Sequence, residues 1–137
     1  MWKPDIGRAK AITAGNMRSY AVLKDGTVWS WKNIVQKKKY AAAQLPGFAK
    51  MTTIAAGSRN TDFAVGLDEK GNQRGIRGPG ATIPPALRTG NLYQKADYAA
   101  AANSNVFVIS NGQLWVYGTN NDYGQLGNGT RANSREL

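Results

Sequence analysis

The sequence has 137 residues, 42% of them hydrophobic, which is enough to build one domain and argues against a wholly disordered chain. It contains no cysteine and no histidine, so disulfides, thiolate chemistry and the commonest general base and metal ligand are excluded. Eighteen Lys and Arg oppose eight Asp and Glu, and the net charge of +10 favours encounter with nucleic acid, acidic proteins or anionic surfaces. The same charges are equally typical of a solvated β surface.

A segment of small residues recurs along the chain. Ile12–Gly15 is echoed 42 residues later by Ile54–Gly57, and more weakly a further 44 residues on by Tyr98–Ala101. Missing side-chain bulk lets a neighbouring sheet approach closely, which suits the crowded inner strand of a propeller blade. The alanine run at 99–102 is also compatible with a helical turn, but its register with the other two copies favours a strand.

A predicted hairpin follows each small-residue segment. Residues 20–31 align on residues 106–117 without a gap, and residues 63–72 hold the same place in the middle copy. Asp25-Gly26 and Asn111-Gly112 are dipeptides that accept positive φ, so they predict two-residue hairpin turns.

The middle copy is the weakest. Its turn at Lys70-Gly71 is a looser version of the other two, and Gln73–Ile76 stands where an aromatic strand is expected. Connectors rich in Pro and Gly separate the copies, at 44–48 and 78–85. We therefore expect a single repeat domain over residues 1–137, with copies at about 10–44, 51–88 and 96–130.

The third copy carries the most specific motif. Its residues 115–130 include Trp115-Val116-Tyr117-Gly118 and the ending Gly124-Gln125-Leu126-Gly127. In this respect the repeat resembles the regulator of chromosome condensation family, whose unit runs from an Ala-Ala-Gly strand through an Asp-Gly hairpin to Trp-x-Trp-Gly and Gly-Gln-Leu-Gly. The first copy departs from that pattern at Lys32, where the family has glycine, and residues 34–39 replace the Gly-Gln-Leu-Gly segment.

The resemblance implies an all-β fold, a partial β-propeller of about three blades built from antiparallel hairpin repeats. Known members include seven-bladed propellers that act as exchange factors for a small GTPase while docking on chromatin, and a secreted bacterial inhibitor of β-lactamase. The shared part is a binding scaffold whose loops set the target. Three repeats cannot close a seven-bladed ring, so we expect a fragment of a larger propeller, a self-associating arc or a degenerate one.

The loops that follow the small-residue strands are the leading candidate for a partner site. Equivalent loops of successive blades fall side by side, so they would form one polar, partly basic patch. The alternative is a solvated row of turn residues. The candidate residues are Asn16, Met17 and Arg18, then Ser58, Arg59 and Asn60, then Asn103, Ser104 and Asn105.

A run of lysines is the second candidate. Lys37, Lys38 and Lys39 precede Tyr40, and lysines beside an aromatic ring can contact a phosphate while a base stacks on the ring. The same run is also typical of a solvated connector.

Other motifs are better explained by structure than by function. The fixed place of Trp29, Trp31, Trp115 and Tyr117 after the hairpin turns indicates packing rather than a stacking platform. The glycine spacing of residues 124–129 is not that of a nucleotide-binding loop, and no amphipathic helix follows it.

No catalytic constellation is apparent. The few acidic residues fall mostly in turns or near the termini, and a serine nucleophile would need a lysine base that no spacing picks out. We expect no enzyme, no cofactor, no metal and no membrane segment, and the sequence assigns no compartment. The predicted function is a protein-binding scaffold of unknown partner; the alternatives are a basic module that binds nucleic acid or chromatin, or part of an exchange-factor-like protein.

Overall fold

The computed structural model describes residues 5–32, 42–57, 63–77 and 95–134. All regular secondary structure within these ranges is β-strand, and no helix there is long and apolar enough to cross a membrane. The strands are β1 (Ala9–Ala14), β2 (Arg18–Leu23), β3 (Val28–Lys32), β4 (Ala43–Leu45), β5 (Met51–Ala56), β6 (Phe63–Asp68), β7 (Gln73–Arg77), β8 (Tyr98–Ala102), β9 (Asn105–Ser110) and β10 (Gln113–Gly118).

The ten strands form three antiparallel sheets, which we call blades. Blade 1 has the order β1-β2-β3-β4, blade 2 the order β5-β6-β7 and blade 3 the order β8-β9-β10. The small-residue strands lie next to one another, because β5 packs against both β1 and β8. The all-β prediction is confirmed, and the alanine run of the third copy is a strand rather than a helical turn.

The third strand of blade 2 forms without the aromatic residues expected there. Gln73 pairs with Leu67 and Ile76 pairs with Ala64, so β7 continues the ladder of β6. Backbone pairing on a well-anchored neighbour is sufficient for a strand, since side-chain preference in sheets is set by context.

The first two hairpin turns are longer than predicted. The Leu23 N–H donates to the Thr27 carbonyl at 2.9 Å, the Gly26 N–H donates to the Leu23 carbonyl at 2.9 Å, and Gly26 has φ 83°. This is a three-residue turn with a glycine bulge, so the two-residue hairpin predicted at Asp25-Gly26 is wrong. The turn at Lys70-Gly71 has the same hydrogen bonds.

The third turn is the predicted two-residue hairpin. Ser110 pairs directly with Gln113 across Asn111 and Gly112, whose φ angles are 50° and 73°. Positive φ at both central residues defines a turn that asparagine and glycine accept better than other residues.

This difference in turn length shifts the third copy by one residue against the gapless alignment. Ala21 pairs with Trp29 in blade 1, whereas Val108, not Phe107, pairs with Trp115 in blade 3. The inner strand shifts likewise, so that Ala101 takes the place of Ala56 rather than that of Gly57. A shift of one residue exchanges the two faces of a strand, and the aligned Val22 and Val108 therefore point to opposite sides of their blades.

The core lies between the blades. One cluster joins blades 1 and 2, and a second joins blades 2 and 3. Along β6, Ala64 belongs to the first cluster while its neighbours Phe63 and Val65 belong to the second, because alternate residues of a strand point to opposite faces. Both faces of blade 2 are thus covered.

Candidate protein-binding loops

The loop between β1 and β2 places its three predicted residues in different environments. Asn16 and Met17 are exposed, Met17 to 44%. Arg18 is the first residue of β2 and is half-buried, with its guanidinium donating to the Ser30 hydroxyl at 3.3 Å. The Arg18 carbonyl accepts the N–H of Gly15 at 2.8 Å, which closes the loop.

The second loop is described only at its base. The Gly57 N–H donates to the Phe63 carbonyl at 3.1 Å, so the two ends of the loop are held together. Ser58, Arg59 and Asn60 lie outside the described residues, as do Lys37, Lys38 and Lys39. The predictions on these six residues stay predictions.

The third loop is tight, and one of its predicted contact residues is buried. Asn103 has φ 51°, and the Ser104 carbonyl accepts the Thr119 N–H at 3.3 Å. Asn105 is only 3% exposed, and its side-chain amide donates to the Asn120 carbonyl at 2.7 Å. Asn105 is therefore not a surface contact as predicted; it holds the segment after β10.

The three loops begin side by side. A Cβ added to Gly15 would lie 2.8 Å from the Gly57 carbonyl oxygen, and one added to Gly57 would overlap the Asn103 carbonyl. The Thr13 hydroxyl also accepts the Ala56 N–H at 3.1 Å, across the junction of blades 1 and 2. The absence of side chains at these glycines permits this approach, and it places the ends of the inner strands in one row.

A fourth loop, residues 119–134, adjoins this row and is organised by one buried side chain. The Asn121 side chain is fully buried, and its amide donates to the carbonyls of Thr130 at 3.0 Å and Ala132 at 2.6 Å. Its amide oxygen accepts the Leu126 N–H at 2.9 Å. A loop tied to one central amide in this way is held by its own hydrogen bonds rather than by packing alone.

The Gly-Gln-Leu-Gly motif is explained by this loop. Gly124 donates its N–H to the Asn121 carbonyl and Gly127 donates to the Gly124 carbonyl, each at 3.0 Å. Both glycines have positive φ, 79° and 67°. Two successive tight turns thus require glycine at these positions, and the motif serves to fold the loop.

Tyr123 is the exposed aromatic residue of this loop, and sequence reasoning did not single it out. Its ring is 87% exposed, while its N–H donates to the Gln125 side-chain oxygen at 3.0 Å. Gln125 in turn donates to the Asn120 side chain at 3.2 Å, and Asn120 is held by Asn105. The available signal was a tyrosine inside a glycine-rich loop motif, where the backbone is fixed but the side chain points outward.

The aromatic residues after the hairpin turns are packing residues, as expected. Tyr117 is fully buried and Trp115 half-buried against the cluster between blades 2 and 3. Burial raises the pKa of the Tyr117 phenol, because the charged form would lose its hydration. Trp29 and Trp31 pack on the opposite end of the arc, against buried Ala21.

The described residues show no constellation for metal chemistry. No three acidic, histidine or cysteine side chains in these ranges are grouped so that they could hold a metal ion. The described loops present a polar surface with one exposed methionine and one exposed tyrosine, and both residue types are enriched at protein interfaces.

Comparison with known proteins identifies the fold. No family model and no curated protein matches the sequence. Solved structures do match: human WBSCR16, at 19% identity and a TM-score of 0.66, over 91% of this chain and 37% of that one. Yeast RCC1 (Prp20) in its complex with Kap60 matches at 16% identity and a TM-score of 0.68, over 96% of this chain and 37% of that one.

A second structure of Prp20p from Saccharomyces cerevisiae, described with its binding properties to Gsp1p and histones, matches at 18% identity and a TM-score of 0.68. The match covers 96% of this chain and 38% of that one. The chain thus spans a little over a third of the propellers it matches. The fold is a partial β-propeller of the regulator of chromosome condensation type, as the sequence motifs predicted.

Proposed function

We propose that the chain is a non-enzymatic protein-binding module of the propeller type, and that its partner contacts the exposed ends of the row of loops. The residues of this loop-end surface are Asn16, Met17, Arg18, Asn103, Ser104 and Tyr123, together with the sequence-predicted Ser58, Arg59 and Asn60. The observation that carries the proposal is Tyr123, an aromatic side chain that is 87% exposed on a loop fixed by hydrogen bonds.

The physical argument rests on preorganisation. An exposed tyrosine on a rigid loop binds with little loss of conformational freedom, and tyrosine is enriched among residues that dominate binding energy. The Ser104 carbonyl accepts the Thr119 N–H at the start of the same loop. Asn105, Asn120 and Gln125 link that start of the loop to the Tyr123 backbone by hydrogen bonds. The surface therefore consists of adaptable polar groups beside one fixed aromatic anchor.

The fold neighbours supply candidate partners. Prp20 is described in complex with Kap60, and Prp20p with binding properties to Gsp1p and histones. These are properties of those proteins, each of which is more than twice the length of this chain. They nevertheless supply probes for a binding measurement, and between these the net charge of +10 favours a partner with an acidic surface over the basic histones.

The test is a binding measurement with purified Gsp1p and with histones, comparing the chain with the double variant Arg18→Ala and Tyr123→Ala. We expect at least a tenfold loss of affinity for the probe that binds, with an unchanged circular dichroism spectrum. Lys24→Ala is the control, because Lys24 is exposed in the β2–β3 turn at the other end of blade 1. Equal affinity of the double variant and the parent would contradict the proposed surface.

A second candidate function is nucleic-acid or chromatin binding, favoured by the net charge alone. In this case affinity should fall steeply with added salt, because lysine and arginine release counterions from the phosphates. A gel shift at low salt with duplex DNA and with single-stranded RNA measures it. The absence of a shift at low salt would exclude this candidate, and it would leave the loop-end surface untouched.

A further inference from the structure

The two junctions inside the arc are built on one repeated pattern of contacts. At each internal junction, a row of three residues of one blade packs on the next blade. Two of them come from the two strands of the hairpin, and the third comes from the first strand of the blade when the hairpin is formed by the other two. In blade 1 this row is Ala11, Val22 and Val28, and in blade 2 it is Thr53, Leu67 and Gln73.

In these rows the two residues from the hairpin strands are buried, and the inner-strand residues Ala11 and Thr53 are half-buried. Val22 and Val28 are completely buried in the cluster between blades 1 and 2. Leu67 is 3% exposed and Gln73 4% exposed at the junction with blade 3. The row is thus the part of each blade that its successor covers.

The equivalent row is exposed in blade 3. Tyr98 pairs with Ile109, and Ile109 pairs with Leu114, so these three side chains share one face. Tyr98 is 58% exposed, Ile109 39% and Leu114 66%. We call this the blade 3 outer face. Ile109 and Leu114 are therefore exposed at positions whose counterparts in blades 1 and 2 are buried, and Tyr98 adds a third exposed apolar side chain to the row.

The other side of each junction has its counterpart on blade 1. Ile54 of blade 2 is 6% exposed because it packs on blade 1, and Ile12 holds the equivalent place in β1 but is 75% exposed. Ile12 pairs with Ala21, which pairs with Trp29. These three residues form what we call the blade 1 outer face. Ala21 is already buried in a cluster with Ile6 and Leu23, and Trp29 packs against that cluster, so Ile12 is the exposed residue of the three.

The blade 1 outer face is also concave. A groove of about 350 Å³ opens beside Trp29, with Ile6 and Leu23 in its lining and Arg8 and Lys24 at its polar side. The blade 3 outer face, by contrast, presents the protruding side chains of Tyr98 and Leu114.

The hairpin turns repeat the same relationship. The Gly26 carbonyl accepts the Met51 N–H at 3.0 Å, and the Gly71 carbonyl accepts the Ala96 N–H at 2.9 Å, so each turn contacts the following blade. At the third turn, none of the described residues lies within 4 Å of a Cβ placed on Gly112.

We propose that the 137-residue chain binds a second copy of itself head to tail, with the blade 3 outer face of one copy packed on the blade 1 outer face of the other. The interface uses the same strand positions as the junctions inside the arc. Because the two faces are different, it is a heterologous contact, which closes into a ring or extends as a chain according to the rotation between copies. The proposal does not depend on the loop-end surface or its partner.

The test is the mass of the chain in solution, measured by sedimentation velocity and by light scattering over a wide concentration range. We expect species at multiples of the 14.8 kDa chain. Leu114→Asp and Ile12→Asp each destroy one half of the interface and should each give a monomer. Both positions are exposed, so the variants should keep the parent's circular dichroism spectrum. Ala49→Asp is the control, since Ala49 is exposed in the connector between β4 and β5 and belongs to neither outer face, and it should associate like the parent.

The decisive experiment mixes the two interface variants. Leu114→Asp retains an intact blade 1 outer face and Ile12→Asp an intact blade 3 outer face, so an equimolar mixture should form a dimer and nothing larger. A monomeric parent at all concentrations would overturn the proposal. So would association that Leu114→Asp abolishes and Ile12→Asp leaves intact, because that result would mean that blade 3 pairs with itself.

Discussion

The side chain of Asn105 pairs with the backbone of Asn120 as a neighbouring strand would. Its amide nitrogen donates to the Asn120 carbonyl at 2.7 Å, and its amide oxygen accepts the Asn120 N–H at 3.1 Å. Both residues are buried. A single side chain thus satisfies a backbone donor and a backbone acceptor that the sheet does not reach, and it fixes the start of the loop that carries Tyr123.

Replacing Asn105 with alanine should therefore destabilise the fold. The change leaves the buried N–H and carbonyl of Asn120 without partners, and we expect the free energy of unfolding to fall by about 3 kcal/mol. Urea denaturation measures the loss. Asn16→Ala is the control, because Asn16 is an exposed asparagine of an inner loop and its loss should cost less than about 0.5 kcal/mol. Equal effects of the two substitutions would contradict the role of Asn105.

Gly57→Ala should disturb the junction of blades 2 and 3. The new Cβ would lie 2.5 Å from the Phe63 ring and would overlap the Asn103 carbonyl. We expect a loss of about 3 kcal/mol from this overpacking, at the upper end of its usual range. Gly112→Ala meets no described atom within 4 Å and should cost about 1 kcal/mol, from its φ of 73° alone. A smaller loss at Gly57 than at Gly112 would show that the inner strands do not approach so closely.

Tyr117→Phe should be nearly neutral, although Tyr117 is fully buried. Its hydroxyl has no hydrogen-bond partner among the described groups, so removing it gives up no bond and relieves a desolvated polar atom. We expect a change within about 0.5 kcal/mol by thermal or urea unfolding. Tyr117→Ala should instead cost about 4 kcal/mol, because it empties the core between the blades. A large loss for the phenylalanine variant would indicate that the hydroxyl has a partner.

Stability should fall in acid because of the aspartates of the first two turns. The Thr27 N–H and hydroxyl lower the pKa of Asp25. Burial alone would raise the pKa of Asp68, but hydrogen bonds from Asn72 and Lys70 outweigh it and lower that pKa.

A carboxyl with a lowered pKa binds its proton less readily in the folded chain than in the unfolded one, so protonation favours unfolding. The stabilisation is therefore complete above the unfolded value of about 3.9 and is lost as pH falls through the lower folded values. Urea midpoints between pH 6 and pH 2 measure this loss. Asp68→Asn should make the acid decline shallower, whereas an unchanged decline would assign it to other carboxyls.

Much of the architecture can be predicted from the sequence, because it depends on residues that are close together along the chain. The three copies, the strands of blades 1 and 3 and the turn at Asn111-Gly112 all follow from apolar alternation and from residues that accept positive φ. The Gly-Gln-Leu-Gly motif likewise predicted the family of fold that the solved structures show, since its glycines are required by turns within one loop.

What only the tertiary structure decided is which side of each strand faces which neighbour. One residue fewer in the third hairpin turn reverses the faces of β9, and the sequence alignment of Val22 with Val108 gave no sign of it. Burial of Asn105 depends on a segment far away along the chain. The exposure of Ile12 and Leu114, at positions that are buried in other blades, reflects the absence of a neighbouring blade among the described residues. Local patterns determine strands and turns, but the packing of one blade on the next is a long-range contact that no short stretch of sequence contains.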